Sequence, residues 1–268
     1  MSTIDLDRYF ERTGYRGPRT ATLETLHAIA QAHVETIPFE NLDVLLGRAI
    51  DLQLPAVEQK LIVDRRGGYF FEQNSLLLAV LRQLGFDAEP LAGRVRIGRP
   101  RDYVPPRTHL FVRVQLDGPW LVDVGVGGLS PTAAIRMDTE APQPTPHETR
   151  RLVRDGDLVY HQALLNHEWH DVYSTLLDPM PPIDREVGNW YTSSHPESSF
   201  KARLTVARAL PDGGRLTILN RELTTRQRDG RADHYVIDTP DELLDVLSRK
   251  FGLMFPAGTR FTCPGLEW

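Results

Sequence analysis

The chain has 268 residues, a formal net charge of −5, 41% hydrophobic residues and 25% charged residues. These values are typical of a globular protein with one large domain or two to three small ones. Lysine and arginine are not clustered as a nucleic-acid site requires, so we exclude that class of function. The one cysteine, Cys263, excludes an internal disulfide framework and a zinc site built from several cysteines.

The first residues, MSTIDLDRYFERTG, are acidic and amphipathic and lack the apolar core of a signal peptide. No apolar run approaches the roughly 20 residues that a membrane-spanning helix needs. We therefore expect a cytoplasmic protein with no membrane partner.

Residues 1–86 are predicted to form a helical bundle. The apolar residues of 22–36 recur at helical spacing, and Thr22 is placed to cap that helix. A second helix over 55–64 has Pro55 in its first turn.

A further helix, over 75–84, is predicted to begin near Asn74 or Ser75 and to end at Gly85. It is apolar on nearly all sides, so we expect it to be buried.

The hydrophobic period changes to two over residues 88–178. Short alternating runs such as THLFVRVQL and WLVDVGV are separated by glycine, proline and aspartate. LDGPW at 116–120 is typical of a hairpin turn. The pattern predicts an antiparallel β-barrel as the second domain, residues 87–180.

The last region, residues 181–268, is predicted to be an α/β lid. A second hairpin carries Gly213 and Gly214 in its loop. The stretch TPDELLDVLSRKFG predicts a helix with Thr239 as its cap and Gly252 as its end. The three regions together predict an α+β protein.

The stretch RRGGYFFEQN, residues 65–74, has the frame of an activated cysteine. Two glycines free the backbone, and a helix N-terminus, with unpaired N–H groups and partial positive charge, is predicted to follow. A thiol placed there has a lowered pKa and becomes a nucleophile near neutral pH. The residue at the centre is Phe70, which can neither attack nor transfer a proton.

His109 opens one predicted strand, and Asp123 lies inside the next. An aspartate inside an apolar strand needs a partner, and a histidine that donates its ring N–H would supply one. Such a pair also forms the base and its orienting group in a Cys-His-Asp arrangement. The two residues are therefore either a satisfied pair in the core or part of a reactive site.

Three histidines, His161, His167 and His170, fall within ten residues of one another. No carboxylate has the spacing that a metal site would add to them. We interpret them as scattered surface histidines and expect no metal.

Several stretches resemble the arylamine N-acetyltransferase family. RRGGYFFEQN resembles its Arg-Gly-Gly-aromatic-Cys-aromatic-Glu-x-Asn signature. Five further stretches keep the family's order and spacing from about residue 5 to 255: IPFENLDVLLGR, PPRTHLFV, VDVGVGG, TPHETRRL and GNWYTSSHPESSF. The resemblance implies a helical bundle, a β-barrel and an α/β lid around a core similar to that of papain-like and transglutaminase-like enzymes.

In this family a Cys-His-Asp triad takes acetyl from acetyl-CoA and passes it to an aromatic amine or hydrazine by a ping-pong route. Related bacterial amide synthases release a polyketide chain. The resemblance therefore implies acetyl-CoA or another acyl thioester as co-substrate and no metal. The implied partner is a small-molecule aromatic amine or a natural-product acyl substrate, and an acyl-carrier protein is a further candidate partner.

By the same resemblance His109 matches the base, Asp123 its orienting partner and Phe70 the position of the nucleophile. A pair between Glu40 and Arg66 would tie the PFEN turn under the active-site loop. Five further residues match positions that line the family's substrate pocket: Phe39, Phe71, Thr108, Val126 and Phe200. One of them, Val126, departs from the family's usual phenylalanine and predicts a wider or differently shaped acceptor pocket.

No other side chain is a good substitute nucleophile. Ser75 is more than a turn into the helix, and Tyr69 is expected to point away from the cleft if Phe70 points in. Cys263 is the only thiol, but a lone cysteine is more often inert packing.

Three functions fit these residues. In the first, Phe70 replaces the working cysteine of an acetyltransferase or amide synthase, by natural loss or engineering, and ping-pong acetylation is absent or very weak. In the second, His109 and Asp123 act as a general base in direct acyl transfer, or in cyclisation or amide formation on a natural-product intermediate. In the third, the protein is a non-catalytic ligand-binding homologue. The preserved histidine, aspartate and loop favour the first two.

Overall fold

The computed structural model describes residues 3–268, so the first two residues of the predicted bundle lie outside the described part. The chain forms a helical region, a seven-stranded sheet and a five-stranded sheet with helices. The predicted α+β fold class is confirmed. Within residues 3–268, no helix has the length and apolar character needed to cross a bilayer.

The helical region contains the predicted helices and, directly after Pro38, a short strand that the sequence did not predict. Thr22 caps its second helix by accepting a hydrogen bond from the N–H of Thr25. The helix predicted over 55–64 changes pitch, because a π-helical turn, Gln59–Val63, continues it. The elements are α1 (Leu6–Thr13), α2 (Leu23–Thr36), β1 (Phe39–Glu40), α3 (Leu42–Leu45), α4 (Leu54–Glu58) and α5 (Phe70–Gln83).

The start of α5 differs from the prediction. The helix begins at Phe70 and not near Asn74 or Ser75. The carboxylate of Glu72 accepts a hydrogen bond from the backbone N–H of Tyr69 at 3.0 Å, which satisfies a donor that a helix start otherwise leaves unpaired. This local bond lets the helix begin directly after the glycine pair, so Phe70 lies in its first turn.

The middle of the chain is a nearly closed antiparallel barrel, as predicted. Its strand order is β5-β4-β3-β2-β8-β7-β6. The strands are β2 (Asp87–Val95), β3 (His109–Gln115), β4 (Pro119–Val122), β5 (Ile135–Arg136), β6 (Arg150–Asp155), β7 (Leu158–Leu165) and β8 (Glu168–Thr175).

Gln143 links the two edge strands of this sheet. Its backbone N–H and C=O bond to Arg150 on β6 at 2.7 and 2.9 Å. Its side-chain amide bonds to the backbone of Arg136 on β5 at 2.7 and 2.9 Å. One residue thereby pairs backbone groups on both edges that would otherwise lack partners.

The C-terminal region holds a five-stranded sheet of order β1-β9-β10-β11-β12. Its first strand comes from the helical region, since Phe39 pairs with Ala207. The last helix lies between Thr239 and Gly252, as predicted. The elements are α6 (Pro182–Ser194), α7 (Ser199–Ala202), β9 (Thr205–Ala209), β10 (Arg215–Leu219), β11 (Glu222–Arg226), β12 (Ala232–Val236) and α8 (Pro240–Phe251).

His33 connects α1, α2 and α5 in the core of the helical region. Its Nδ1 lies 3.0 Å from the hydroxyl of Tyr9, and its Nε2 lies 2.6 Å from Oε1 of Gln73. The amide nitrogen of Gln73 donates to the carbonyl oxygen of Pro38 at 2.8 Å, which fixes the amide orientation. His33 therefore donates from Nε2 and accepts at Nδ1, which is the neutral form of the ring.

We expect the free energy of unfolding to fall as the pH drops from about 6.5 to about 4, because burial lowers the pKa of His33 to about 4. In this window the unfolded chain binds a proton that the folded chain does not, so stability present above the unfolded pKa is lost as pH falls towards the folded pKa. The contribution of His33 is about 3 kcal/mol. Urea unfolding at several pH values measures it.

The control is His33→Gln, which keeps a polar side chain but does not titrate. Its unfolding free energy should change less with pH over the same window than that of the parent. Equal pH slopes in the two proteins would show that His33 is not the group responsible.

Candidate active site

The predicted contact between His109 and Asp123 is confirmed. His109 is the first residue of β3, and Asp123 directly follows β4. The pairing of Val112 with Val122 brings these strand ends together. Nε2 of His109 lies 2.7 Å from Oδ2 of Asp123, and both side chains are fully buried.

The carboxylate of Asp123 is held in its charged form. Burial alone would raise its pKa, but the interaction with His109 and the hydrogen bonds from Gly125 and Asn74 outweigh burial, so the pKa lies below its usual value. A charged carboxylate only accepts, so Nε2 of His109 carries the proton and donates it to Asp123. The other ring nitrogen, Nδ1, has no hydrogen-bond partner within residues 3–268.

Asn74 ties α5 to this pair, a role that sequence reasoning missed. Its amide nitrogen donates to Oδ1 of Asp123 at 2.9 Å and to the carbonyl oxygen of Leu110 at 2.7 Å. Its amide oxygen accepts from the N–H of Val124 at 3.0 Å. The available signal was an amide side chain directly before a predicted helix that is apolar on nearly all sides, because such a group needs buried partners.

Replacing Asn74 with leucine should lower the free energy of unfolding by roughly 2–4 kcal/mol, because Asp123, Leu110 and Val124 each lose a buried hydrogen bond. Urea unfolding measures the loss. The matched control is Ser75→Ala at the next position, since the hydroxyl of Ser75 has no partner within the described chain. Its effect should stay within about 0.5 kcal/mol. Similar losses in both variants would contradict the role assigned to Asn74.

Phe70 lies directly beside the imidazole of His109. The two ring centroids are 5.4 Å apart and the ring planes meet at 70°. The backbone there is tight, because a Cβ added at Gly125 would lie 2.6 Å from Cα of Phe70. The glycine after the VDV run therefore allows α5 to approach the loop that carries Asp123.

An aromatic cluster fills the space around Phe70. The rings of Phe71, Tyr69 and Phe200 have their centroids 4.7, 5.0 and 5.7 Å from that of Phe70. Phe39 extends the cluster through Phe200 at 6.1 Å. The side of His109 where the sequence predicted a reactive cleft is therefore occupied by buried rings, and Phe70 itself is 4% exposed.

The structure gathers three of the five predicted pocket residues in this cluster: Phe39, Phe71 and Phe200. Thr108 is half-buried and directly precedes His109. Val126 packs in a different hydrophobic cluster, inside the barrel, together with Phe111 and Ile135. A changed acceptor pocket at Val126 remains a prediction.

The predicted pair between Glu40 and Arg66 is confirmed, with Nη2 of Arg66 2.6 Å from Oε1 of Glu40. It belongs to a larger ionic network that the sequence did not predict. Asp43 lies 3.2 Å from Arg66 and 2.8 Å from Lys60, and Lys60 lies 2.6 Å from Glu72. Since Glu72 also caps α5, the network connects the PFEN turn to the helix that carries Phe70.

The remaining candidate nucleophiles lie apart from the pair of His109 and Asp123. Cys263 packs against the hydrophobic cluster of the C-terminal region, and burial raises the pKa of its thiol. The hydroxyl of Tyr69 bonds to Asn189 on α6. Ser75 lines a groove of about 790 Å³ between α5 and α6, whose walls include neither Phe70 nor His109.

The interpretation of His161 as a surface histidine is wrong. The residue is fully buried in β7, because this strand lies inside a nearly closed sheet and not on an open face. His167 and His170 are exposed, as expected. Across residues 3–268, no group of three or more histidine, cysteine, aspartate or glutamate side chains is arranged to hold a metal ion.

Comparisons with known proteins agree with this architecture. The N-acetyltransferase family model matches residues 22–259. The arylamine N-acetyltransferase of Mycolicibacterium smegmatis is 43% identical over 255 residues, which cover 93% of this chain and 92% of that protein. The match thus extends over nearly the whole of both chains.

Two solved structures are similar over nearly the whole chain. The structure of Mycobacterium marinum arylamine N-acetyltransferase in complex with CoA has a TM-score of 0.89 and 37% identity, covering 93% of both chains. A Mycobacterium smegmatis arylamine N-acetyltransferase in which glutamine replaces a cysteine has a TM-score of 0.89 and 42% identity, again covering 93% of both. Fold and sequence therefore define a member of the N-acetyltransferase family. The chain belongs to this family, and these relatives carry the name arylamine N-acetyltransferase.

Proposed function

We propose that this N-acetyltransferase-family protein cannot form an acetyl-enzyme, because Phe70 occupies the position of the nucleophile. Its named relatives are arylamine N-acetyltransferases, and one of them was solved with CoA. The observation that carries the proposal is the placement of the Phe70 ring in the first turn of α5, 5.4 Å from the imidazole of His109. Ping-pong acetylation is then absent or very weak.

Two physical effects act together at this position. The carbon ring of Phe70 offers no lone pair or exchangeable proton, so no thioester can form on it. The ring also adds apolar volume beside His109, whose side chain is fully buried. An acyl thioester therefore has no open path to Nδ1 in this arrangement.

The residues around Phe70 support descent of this protein from an enzyme that transfers acetyl groups. The His109–Asp123 pair, its hydrogen bonds from Asn74 and the ionic network under the loop are all assembled. Acetyl-CoA or another acyl thioester is the co-substrate class that this lineage implies, with an aromatic amine as acceptor. One relative keeps the fold after a glutamine replaced a cysteine, which supports the idea that a family fold tolerates loss of a thiol.

A second candidate function is general-base catalysis by His109 and Asp123. The free Nδ1 of His109, with Nε2 held by Asp123, favours it, because this is the arrangement of a base that can take a proton. The reaction would be direct acyl transfer, or amide formation on a natural-product intermediate carried by a partner such as an acyl-carrier protein. It requires the Phe70 ring to leave its place beside His109.

Intact mass spectrometry after incubation with acetyl-CoA or p-nitrophenyl acetate tests the first proposal. We expect no mass increase of one acetyl group on the parent and a full increase on Phe70→Cys. The control Phe70→Ala opens the same space without adding a nucleophile and should stay unmodified. An adduct on the parent would contradict the proposal, and peptide mapping would then begin at Cys263.

The second candidate predicts a different result with the same reagents. The parent would convert an arylamine and acetyl-CoA to the amide without an adduct, at a rate that His109→Gln abolishes. Equal rates for the parent and His109→Gln would rule out general-base catalysis by this pair.

A further inference from the structure

The groove between α5 and α6 is a cavity of about 790 Å³ that is lined by neither Phe70 nor His109. The residues that α5 contributes recur at helical spacing over 75–83, and those of α6 do so over 182–194. Each helix therefore turns one continuous face towards the groove. Pockets for small molecules commonly enclose about 300–1,000 Å³, so the groove has the size of a ligand site.

The inner walls of the groove are apolar. Leu78 on α5 and Ile50 are buried in hydrophobic clusters, and Ala79 and Leu52 extend the same surface. Trp190 lines the groove from α6, and 58% of its surface is exposed. An indole that is largely open to water beside a cavity can pack against the apolar part of a ligand. The walls therefore suit a molecule with a large apolar body.

The position of α6 along the groove is fixed by contacts within the protein. The amide nitrogen of Asn189 donates to the carbonyl oxygen of Ile50 at 2.9 Å, and its amide oxygen accepts from the hydroxyl of Tyr69. Gly188 lies directly against Phe71, because a Cβ added at this glycine would be 2.7 Å from the Phe71 ring. The groove is therefore a preformed feature of the fold, as ligand sites usually are.

Two side chains on the walls carry polar atoms without a protein partner. Nε of Arg185 and the hydroxyl of Ser75 are buried and make no hydrogen bond within residues 3–268. Ser75 is only 9% exposed. Buried polar atoms in native proteins nearly always have a partner. The walls therefore offer hydrogen-bonding groups to a polar part of a ligand as well as an apolar surface.

The positive charge of Arg185 is incompletely compensated by the protein. Burial and the charge of Arg82 lower the pKa of Arg185 from its ordinary value, despite the opposing charge of Glu186. Glu186 is exposed, so water and salt screen its charge. The other carboxylate on the walls, Asp51, is also exposed and already accepts from the N–H of Gln53 at 2.8 Å. The two guanidinium groups repel each other, so a negative ligand group beside them is favoured.

The geometry of these cations favours a carboxylate. Nε of Arg82 donates to the carbonyl oxygen of Ala88 at 2.8 Å, which orients the guanidinium and leaves its terminal nitrogens as donors. The planar fork of an arginine matches the two oxygens of a carboxylate and binds them with two parallel hydrogen bonds.

We propose that the groove between α5 and α6 binds a small apolar carboxylate. Its carboxylate group pairs with Arg185 and Arg82, and its ring or hydrocarbon chain packs against Leu78 and Trp190. The inference goes beyond the proposed function and does not rest on it, because the walls of the groove include neither Phe70 nor His109.

Co-crystals of the parent protein with p-bromophenylbutyrate locate the ligand directly. Anomalous diffraction at the bromine edge should place the bromine in the groove, near Leu78 and Trp190. The carboxylate should lie in hydrogen-bond contact with Arg185. No bromine peak in the groove, whatever appears beside His109 or on the surface, would overturn the proposal.

Calorimetric titration tests the charge of the ligand in solution. Phenylbutyrate should bind the parent at least about tenfold more tightly than the uncharged phenylbutyramide, because only the acid forms charge-assisted hydrogen bonds. Arg185→Met should remove this difference and leave the affinity for the amide almost unchanged. Equal affinities of the parent for the acid and the amide would contradict a carboxylate site.

Two further variants separate the groove from other binding surfaces. Trp190→Leu should weaken binding of both compounds by about threefold to tenfold, because it removes the aromatic wall. The matched control Arg249→Met removes an exposed arginine on α8 and should leave both affinities unchanged. If Arg185→Met does not fold, the Trp190→Leu result and the bromine map still decide the question. Unchanged binding in Trp190→Leu would count against the groove.

Discussion

The Phe70→Cys variant should acetylate an arylamine such as p-anisidine at least about 1,000-fold faster than the parent, because the residual rate without a covalent nucleophile comes only from binding and oriented polar groups. The new thiol would lie in the first turn of α5, where the N–H groups of the helix start favour a thiolate. It would also adjoin the free Nδ1 of His109, whose Nε2 is fixed by Asp123.

Initial rates of amide formation with acetyl-CoA measure this gain. Iodoacetamide labelling near neutral pH reports the thiol independently, and it should be faster than labelling of a free thiol. The double variant Phe70→Cys with His109→Gln is the control and should lose most of both effects. Labelling no faster than that of a free thiol would mean that the triad geometry is not assembled in this chain.

Replacing Arg66 with methionine should lower the free energy of unfolding by about 3–5 kcal/mol, because it leaves a buried carboxylate without its partner. The side chain of Glu40 is fully buried, and Arg66 is its cation at 2.6 Å. The remaining donor to Glu40 is the N–H of Leu42 at 2.7 Å. Asp43 also loses a partner at 3.2 Å. Urea unfolding with a global fit measures the loss.

The matched control is Arg249→Met, which breaks the exposed pair with Asp245 on α8. The two side chains there are 78% and 50% exposed, so the loss should stay below about 0.5 kcal/mol. Comparable losses in the two variants would show that burial of the Glu40 pair does not determine its strength.

The sequence predicted the parts of the site that obey a local requirement. Asp123 lies in an apolar run, so its buried carboxylate needs a hydrogen-bond donor. His109, at the matching end of the neighbouring strand, is that donor. Helix ends with strong signals, such as Thr239 and Gly252, fall where expected. Local sequence signals therefore predicted both the His109–Asp123 pair and the helices that have a capping residue.

The parts that the sequence did not predict depend on contacts between distant segments. The early start of α5 depends on Glu72, whose local bond to the N–H of Tyr69 is supported by an ion pair with Lys60 in the preceding helical segment. The link between the barrel edges depends on Gln143, a residue in an irregular segment with no periodic signal. The burial of His161 follows from the closing of the sheet, which an alternating pattern does not reveal.

The pairing of β1 with β9 has a consequence while the chain is being synthesised. Phe39 and Glu40 complete their ladder only with Ala207 and Val206, which are synthesised far later. At ribosomal speeds of about 5–20 residues per second, the emerging chain presents this strand without β9 for roughly 8–34 s. During that time Phe39 of the aromatic cluster is not yet covered by Phe200. The nascent polypeptide therefore exposes part of the aromatic cluster until its last quarter leaves the ribosome.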